Sequence, residues 1–285
     1  MILPFLLAVL QPAQGAQSDL AAIEVRVHGR LGVAALDLRT GRRVEFHADV
    51  RFPFCSTFKC LLAADVLFRV DHGQEALARR IAYGPKDLLD YSPVTQPQVS
   101  EGGLPVSALC AGAVGQSDNT AANLLLQSVG GPAGLTHFLR ALGDPKTRLD
   151  RAEPDLNSAI PGDERDTTTP SAMLADLQSL LTGDRLAPDS RHRLEAWLVA
   201  STTGADRIRA GVPPTWRVGD KTGTGNHGTT NDVAILRPPG RQPILCAVFL
   251  TECEASLSER NAALRDVAKT IAAEFGTGIG QAIVP

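Results

Sequence analysis

The chain of 285 residues contains no Cys-x-x-Cys pair and no His-x-His or His-x-x-x-His spacing. It also lacks long runs of lysine and arginine, internal repeats and low-complexity tracts. Each absence excludes something. A zinc site normally needs clustered cysteine and histidine, so the five scattered cysteines and six scattered histidines argue against a metal. With a formal net charge of -3 and no basic stripe, neither a nucleic acid nor an anionic membrane surface is an expected partner. No stretch after the N-terminus is long and apolar enough to span a bilayer. Small-molecule chemistry fits what remains.

The first residues, MILPFLLAVLQPAQG, form a short apolar segment followed by small residues. It is too brief to cross a membrane and reads as a leader over residues 1–15, cut near Gly15, although the usual basic residues before it are missing. The other reading is a helix that packs on the protein. Export to the periplasm or medium is the expectation. An odd number of cysteines in an exported chain leaves at least one thiol free or paired between chains.

Gly32 to His47 alternates as two strands joined at Thr40-Gly41. From about residue 56 to 201 the periodicity is helical. It includes an almost wholly apolar helix after Ser56 that ends near Gly73, and DNTAANLLLQSVGG, capped by Asp118 or Asn119. After residue 211 period 2 returns in TWRVGDKTGTG, TTNDVAILRPPG and QPILCAVFLTE, before a last amphipathic helix. The fold class is therefore α/β (α+β): an antiparallel sheet from the N- and C-terminal segments flanked by helices, plus an all-helical lobe. The expected domains are 18–55 plus 202–285, and 56–201 including the charged, turn-rich loop 148–170. A site is expected in the cleft between them.

The apolar helix opens with Ser56 and Lys59, three residues apart and on one face. An amine desolvated by apolar neighbours can accept a proton and so activate the hydroxyl as a nucleophile. Alone the pattern is weak, arising on the order of once by chance in such a chain. The tripeptides SDN (Ser117 to Asn119) and KTG (Lys221 to Gly223) are each expected only on the order of once in ten or more such chains. Their joint occurrence in this order matches a nucleophile set of penicillin-recognising serine enzymes. A phosphate-binding reading of GDKTGTG fails, because Asp220 rather than glycine precedes the lysine.

With YSPVT (Tyr91 to Thr95), GGPAGLTHFLR, TRLDRAEPDLN, DERDTTTP and SERN added, the whole chain after the leader resembles the class A serine β-lactamases. The resemblance implies a serine β-lactamase and penicillin-binding transpeptidase-like fold. It also implies hydrolysis of the β-lactam amide of penicillins and cephalosporins through a serine acyl-enzyme, and antibiotic resistance. Ser56 would be the nucleophile, with Lys59, or Glu153 acting through water, as its base. Ser117 would relay a proton to the leaving nitrogen. Glu153, with Asn157, would drive water at the acyl-enzyme. Backbone N–H groups of Ser56 and Thr224 would form the oxyanion hole. Asn119, Lys221, Thr222, Gly223 and Thr224 would bind substrate, and Tyr91 would wall the entrance. Arg151 and Asp166 would close the loop as an ion pair. No cofactor, metal, nucleic acid or membrane contact after leader removal is implied, and the chain would be a monomer.

Four departures stand out. Thr230 occupies the place where many members carry a carboxylate-binding arginine, and Arg207 resembles an alternative placement of it. Cys55 precedes the nucleophile as in some carbapenem-hydrolysing relatives, but KTGTGNHG lacks their partner cysteine. Cys110 matches one half of another disulfide whose partner position is Ala63 here, so a Cys60–Cys110 bond stays open. Ala152 replaces an aromatic residue. The rival functions are a D,D-peptidase-like penicillin-binding enzyme and a non-hydrolysing β-lactam sensor, neither of which needs Glu153.

Overall fold

A computed structural model of the chain describes residues 14–276. The leader assigned to residues 1–15 lies almost wholly outside them. The elements run α1 (Gln14–Val27), β1 (Arg30–Asp37), β2 (Arg43–Phe46), β3 (Phe52–Pro53), α2 (Phe58–Asp71), β4 (Arg80–Ala82), β5 (Gly103–Pro105), α3 (Val106–Gly115), α4 (Asn119–Ser128) and α5 (Gly131–Leu142). They continue with β6 (Thr167–Thr168), α6 (Pro170–Leu181), α7 (Pro188–Val199), α8 (Ile208–Gly211), β7 (Arg217–Thr224), β8 (Thr230–Arg237), β9 (Ile244–Thr251) and α9 (Leu257–Gly276). No helix among the described residues is long and apolar enough to cross a membrane.

Five strands make one antiparallel sheet in the order β2-β1-β9-β8-β7. The N-terminal hairpin thus joins the C-terminal strands, with Leu31 opposite Leu250 and Leu36 opposite Leu245. The central strand β9 is buried along its whole length, which means both faces are covered. Its side chains alternate between two cores. Leu245, Ala247 and Phe249 face the core shared with α2, α4 and α6. Cys246, Val248 and Leu250 face the one closed by α1 and α9.

Helix α2 is buried from Phe58 to Leu67, as its apolar run requires. It begins two residues later than the sequence suggests. A 3-10 turn over Cys55–Thr57 precedes it, and Ser56 sits in that turn. The helix ends at Asp71, and Gly73 follows with φ +69°. The segment read as purely helical also carries a two-stranded ribbon, β4 with β5, while β6 pairs with β3. These strands hold only two or three residues, too few for a period-2 pattern to register.

Candidate active site

The loop between α5 and α6 is held shut at its base. Asp166, wholly buried, accepts hydrogen bonds from the backbone N–H of Asp150 (2.8 Å) and Arg151 (2.9 Å) and from Arg151 Nε (2.6 Å). The Arg151–Asp166 pair is therefore part of a three-bond clamp. Further along, Asn123 on α4 grips the Glu153 backbone twice. Its Oδ1 accepts from the Glu153 N–H (3.0 Å) and its Nδ2 donates to the Glu153 carbonyl (2.9 Å). Ala152 packs half-buried against the apolar core.

That grip points the Glu153 side chain at the nucleophile. Ser56 Oγ donates to Glu153 Oε1 over 3.0 Å, and Lys59 Nζ lies 3.0 Å from the same oxygen. Asn157 Nδ2 donates to the other oxygen, Oε2, over 2.5 Å. Lys59 also donates to the Ser117 carbonyl (2.8 Å) and to Asn119 Oδ1 (2.6 Å). Burial pushes its amine below the usual lysine range, against the opposing pull of Glu153.

Asp118 caps α4 by accepting from Ala121 N–H (2.7 Å). The same carboxylate accepts from the N–H groups of Val94 and Thr95, both at 2.8 Å. Asn119 N–H reaches back to the Tyr91 carbonyl (2.9 Å), which holds half-exposed Tyr91 at the rim. Ser117 adopts φ +59°, uncommon for a residue with a side chain. Its Oγ accepts from Lys221 Nζ over 3.0 Å and lies 3.4 Å from Lys59 Nζ. Lys221 is fully buried. Desolvation first, and the charge of Lys59 second, bring its pKa down to about 7.

β7 runs beside the nucleophile turn, and Gly223 makes this approach feasible. A Cβ there would stand 2.8 Å from the Phe54 carbonyl oxygen. Thr222 Oγ1 shares a 2.6 Å hydrogen bond with Thr203 Oγ1. Arg207 is 6% exposed, which rules out a merely solvated surface arginine. Its Nη2 donates to Thr224 Oγ1 (2.8 Å), its Nη1 to the carbonyls of Gly223 and Asn231, and its Nε to Asn261 Oδ1. Thr230 is buried opposite Thr224.

These groups surround one cavity of about 320 Å³ lined by Ser56, Tyr91, Ser117, Asn119, Asn157, Thr203, Arg207, Thr222 and Thr224. Lys59, Glu153 and Lys221 lie buried around it through the bonds above. Each catalytic, substrate-binding or loop-closing residue singled out from the sequence either lines this cavity, bonds to a group that does, or clamps the loop beneath it. Sequence reasoning missed Asn123 and Thr203. Asn123 follows Asn119 by four residues, hence on the same helical face, so its spacing was a usable signal. Thr203 lies in a loop with no periodicity to betray it. All five cysteines are buried and free, so Cys60 and Cys110 are not joined. Cys60 instead donates to the Thr57 carbonyl over 3.0 Å.

The profile of the Beta-lactamase enzyme family matches residues 15–275. Beta-lactamase AST-1 of Nocardia asteroides is 48% identical over 256 residues, 90% of this chain and 82% of that one. Among solved structures, the class A β-lactamase of the last common ancestor of Gram-negative bacteria superposes with a TM-score of 0.90 at 59% identity, over 92% of this chain and 99% of that one. The putative class A β-lactamase PenP from Rhodopseudomonas palustris gives 0.89 at 52% identity, over 91% of this chain and 99% of that one. With the sheet order, the loop and the converged motifs, these likenesses make the chain a member of the β-lactamase enzyme family, class A.

Proposed function

We propose that the protein hydrolyses the cyclic amide of β-lactams by way of an ester on Ser56. The observation that carries this reading is the meeting of Ser56 Oγ, Lys59 Nζ and the Asn157 amide on the one carboxylate of Glu153. Ser56 Oγ attacks the lactam carbonyl carbon while its proton passes to Glu153, the oxygen it already donates to. Lys59, hydrogen-bonded to the same carboxylate, stabilises that base in its charged form. Between Lys59 as first proton acceptor and Glu153, the direct 3.0 Å contact favours Glu153.

The lactam C–N bond then breaks and the nitrogen takes the proton of Ser117 Oγ, which Lys59 replaces while itself taking from Glu153 the proton that came from Ser56, so that the carboxylate is free again. Backbone N–H groups of Ser56 and Thr224 receive the developing oxyanion, where one donor is worth about 3–4 kcal/mol. Lys221, Thr222, Gly223, Thr224 and Arg207 hold the substrate carboxylate, while Asn119 and Tyr91 orient the side chain. In the second half, Glu153 takes a proton from water positioned with Asn157. The resulting hydroxide attacks the ester carbonyl, the bond from that carbon to Ser56 Oγ breaks, and Glu153 returns its proton to Ser56 Oγ, which leaves as the alcohol.

The helical segment 56–201 and the segments 18–55 plus 202–285 are proposed as two lobes with the reaction at their seam. Export after cleavage near Gly15, monomeric action and resistance to β-lactams belong to the same proposal. Burst kinetics with nitrocefin test it. Steady turnover supports hydrolysis, whereas one stoichiometric burst supports a penicillin-binding D,D-peptidase or a sensor.

A further inference from the structure

The β7–β8 ladder places Thr222 directly opposite Asp232 and Thr224 opposite Thr230, so these side chains share one face with Asp220. A polar stripe thus runs from two buried acids to the rim of the cavity. Asp220 is paired with Arg209. Asp232 is wholly buried, accepts one hydrogen bond from Ile208 N–H (3.1 Å) through Oδ2, and has no partner for Oδ1. A carboxyl so placed costs stability, and a well-packed apolar residue would avoid that cost. Its one bond goes to the residue after Arg207, at the turn into α8.

Arg207 is the other half of the observation. Its four hydrogen bonds all go to neutral oxygens, those of Asn261, Gly223, Asn231 and Thr224. Its positive charge is therefore not consumed by an ion pair among the described residues, and it sits at the wall of the cavity. That charge stays available to an incoming anion as long as Asp232 behind it is neutral. Burial, and then the charge of Asp220, favour the protonated form of Asp232.

We propose that Asp232 is a positioning residue for the anionic group of the substrate. As a neutral acid it holds the Ile208 N–H, fixing the turn that carries Arg207, and leaves the guanidinium charge directed into the cavity. The inference rests on the hydrolase reading above and adds to it a second layer behind the anion subsite.

The test compares a penicillin with its carboxylate methyl ester on the full-length mature enzyme, using Asp232→Ala and Asp232→Asn. Asp232→Ala is expected to raise KM for the free acid about tenfold with kcat nearly unchanged, and to leave KM for the ester within about twofold. Asp232→Asn, neutral and able to accept from Ile208 N–H, is expected to restore KM for the acid. Thermal melts identify any variant that fails to fold, in which case Asp232→Asn and Asp232→Ser carry the comparison. Unchanged KM for the acid, an equal penalty on acid and ester, or no rescue by asparagine overturns the inference alone. Absence of turnover by the unsubstituted enzyme overturns the hydrolase reading and this inference with it.

Discussion

Ser56 Oγ and Glu153 Oε1 lie 3.0 Å apart, although the two residues are 97 positions apart in the chain. The nucleophile and the carboxylate it donates to belong to different elements, a 3-10 turn and a loop. Their contact depends on two clamps, Asn123 on the Glu153 backbone and Asp166 at the base of the loop.

Replacing Glu153 slows deacylation more than acylation, because Lys59, its amine pushed below the usual lysine range by burial, remains as an acceptor for the Ser56 proton. Glu153→Ala is expected to lower kcat about 10²–10⁴-fold and to trap a penicilloyl ester that mass spectrometry detects. Ser56→Ala should carry no adduct at all. An adduct on Ser56→Ala would move the nucleophile elsewhere.

The clamp at Asp166 is open to a stability measurement. Asp166→Ala leaves two backbone N–H groups and a guanidinium without their acceptor, at a cost of about 3 kcal/mol. For a domain of this size that corresponds to a fall in Tm of about 6–12 °C. A Tm within a degree or so of the parent would mean the loop is held by its other contacts.

Asn123→Ala should leave the chain folded and slow deacylation about tenfold, because it loosens the Glu153 backbone without touching the carboxylate. Pre-steady-state kinetics read this directly. A drop in Tm with deacylation unchanged would reduce Asn123 to a structural role.

Lys221 predicts a pH limb. Below about pH 7 its amine is a cation that attracts an anionic substrate, and above that value it loses the proton and the attraction. The kcat/KM for a carboxylate substrate should therefore fall on the alkaline side, with the limb belonging to the coupled Lys59–Lys221 pair. Lys221→Arg, which keeps its charge, should move the limb above about pH 9. A parent profile flat from about pH 6 to 9 would contradict the shift.

Arg207→Ala should raise KM for the same substrate about tenfold and leave kcat nearly intact, since it removes a charged donor from the wall of the cavity. Unchanged KM would return the anion subsite to Lys221, Thr222 and Thr224.

The long elements were legible because each carries its own periodicity. β7, β8 and β9 are strand-length runs set between glycine and proline turns, α2 is apolar all round, and Asp118 precedes α4 as a cap. The short pieces were not. β4 and β5 owe their existence to each other, and Ser56 falls in a 3-10 turn that no local pattern distinguishes from the first turn of a helix.

By itself the sequence determined which residue types were available for chemistry and in what order: a serine and lysine on one turn, SDN, EPDLN and KTG. Helical and strand periods are local properties, so the frame that carries them was determined as well. Only the tertiary structure decided that Glu153 faces Ser56, that Arg207 is buried with its charge unspent, and that Cys60 and Cys110 stay apart. Those outcomes depend on how distant segments pack and on where water is excluded, and neither is written in any short stretch of chain.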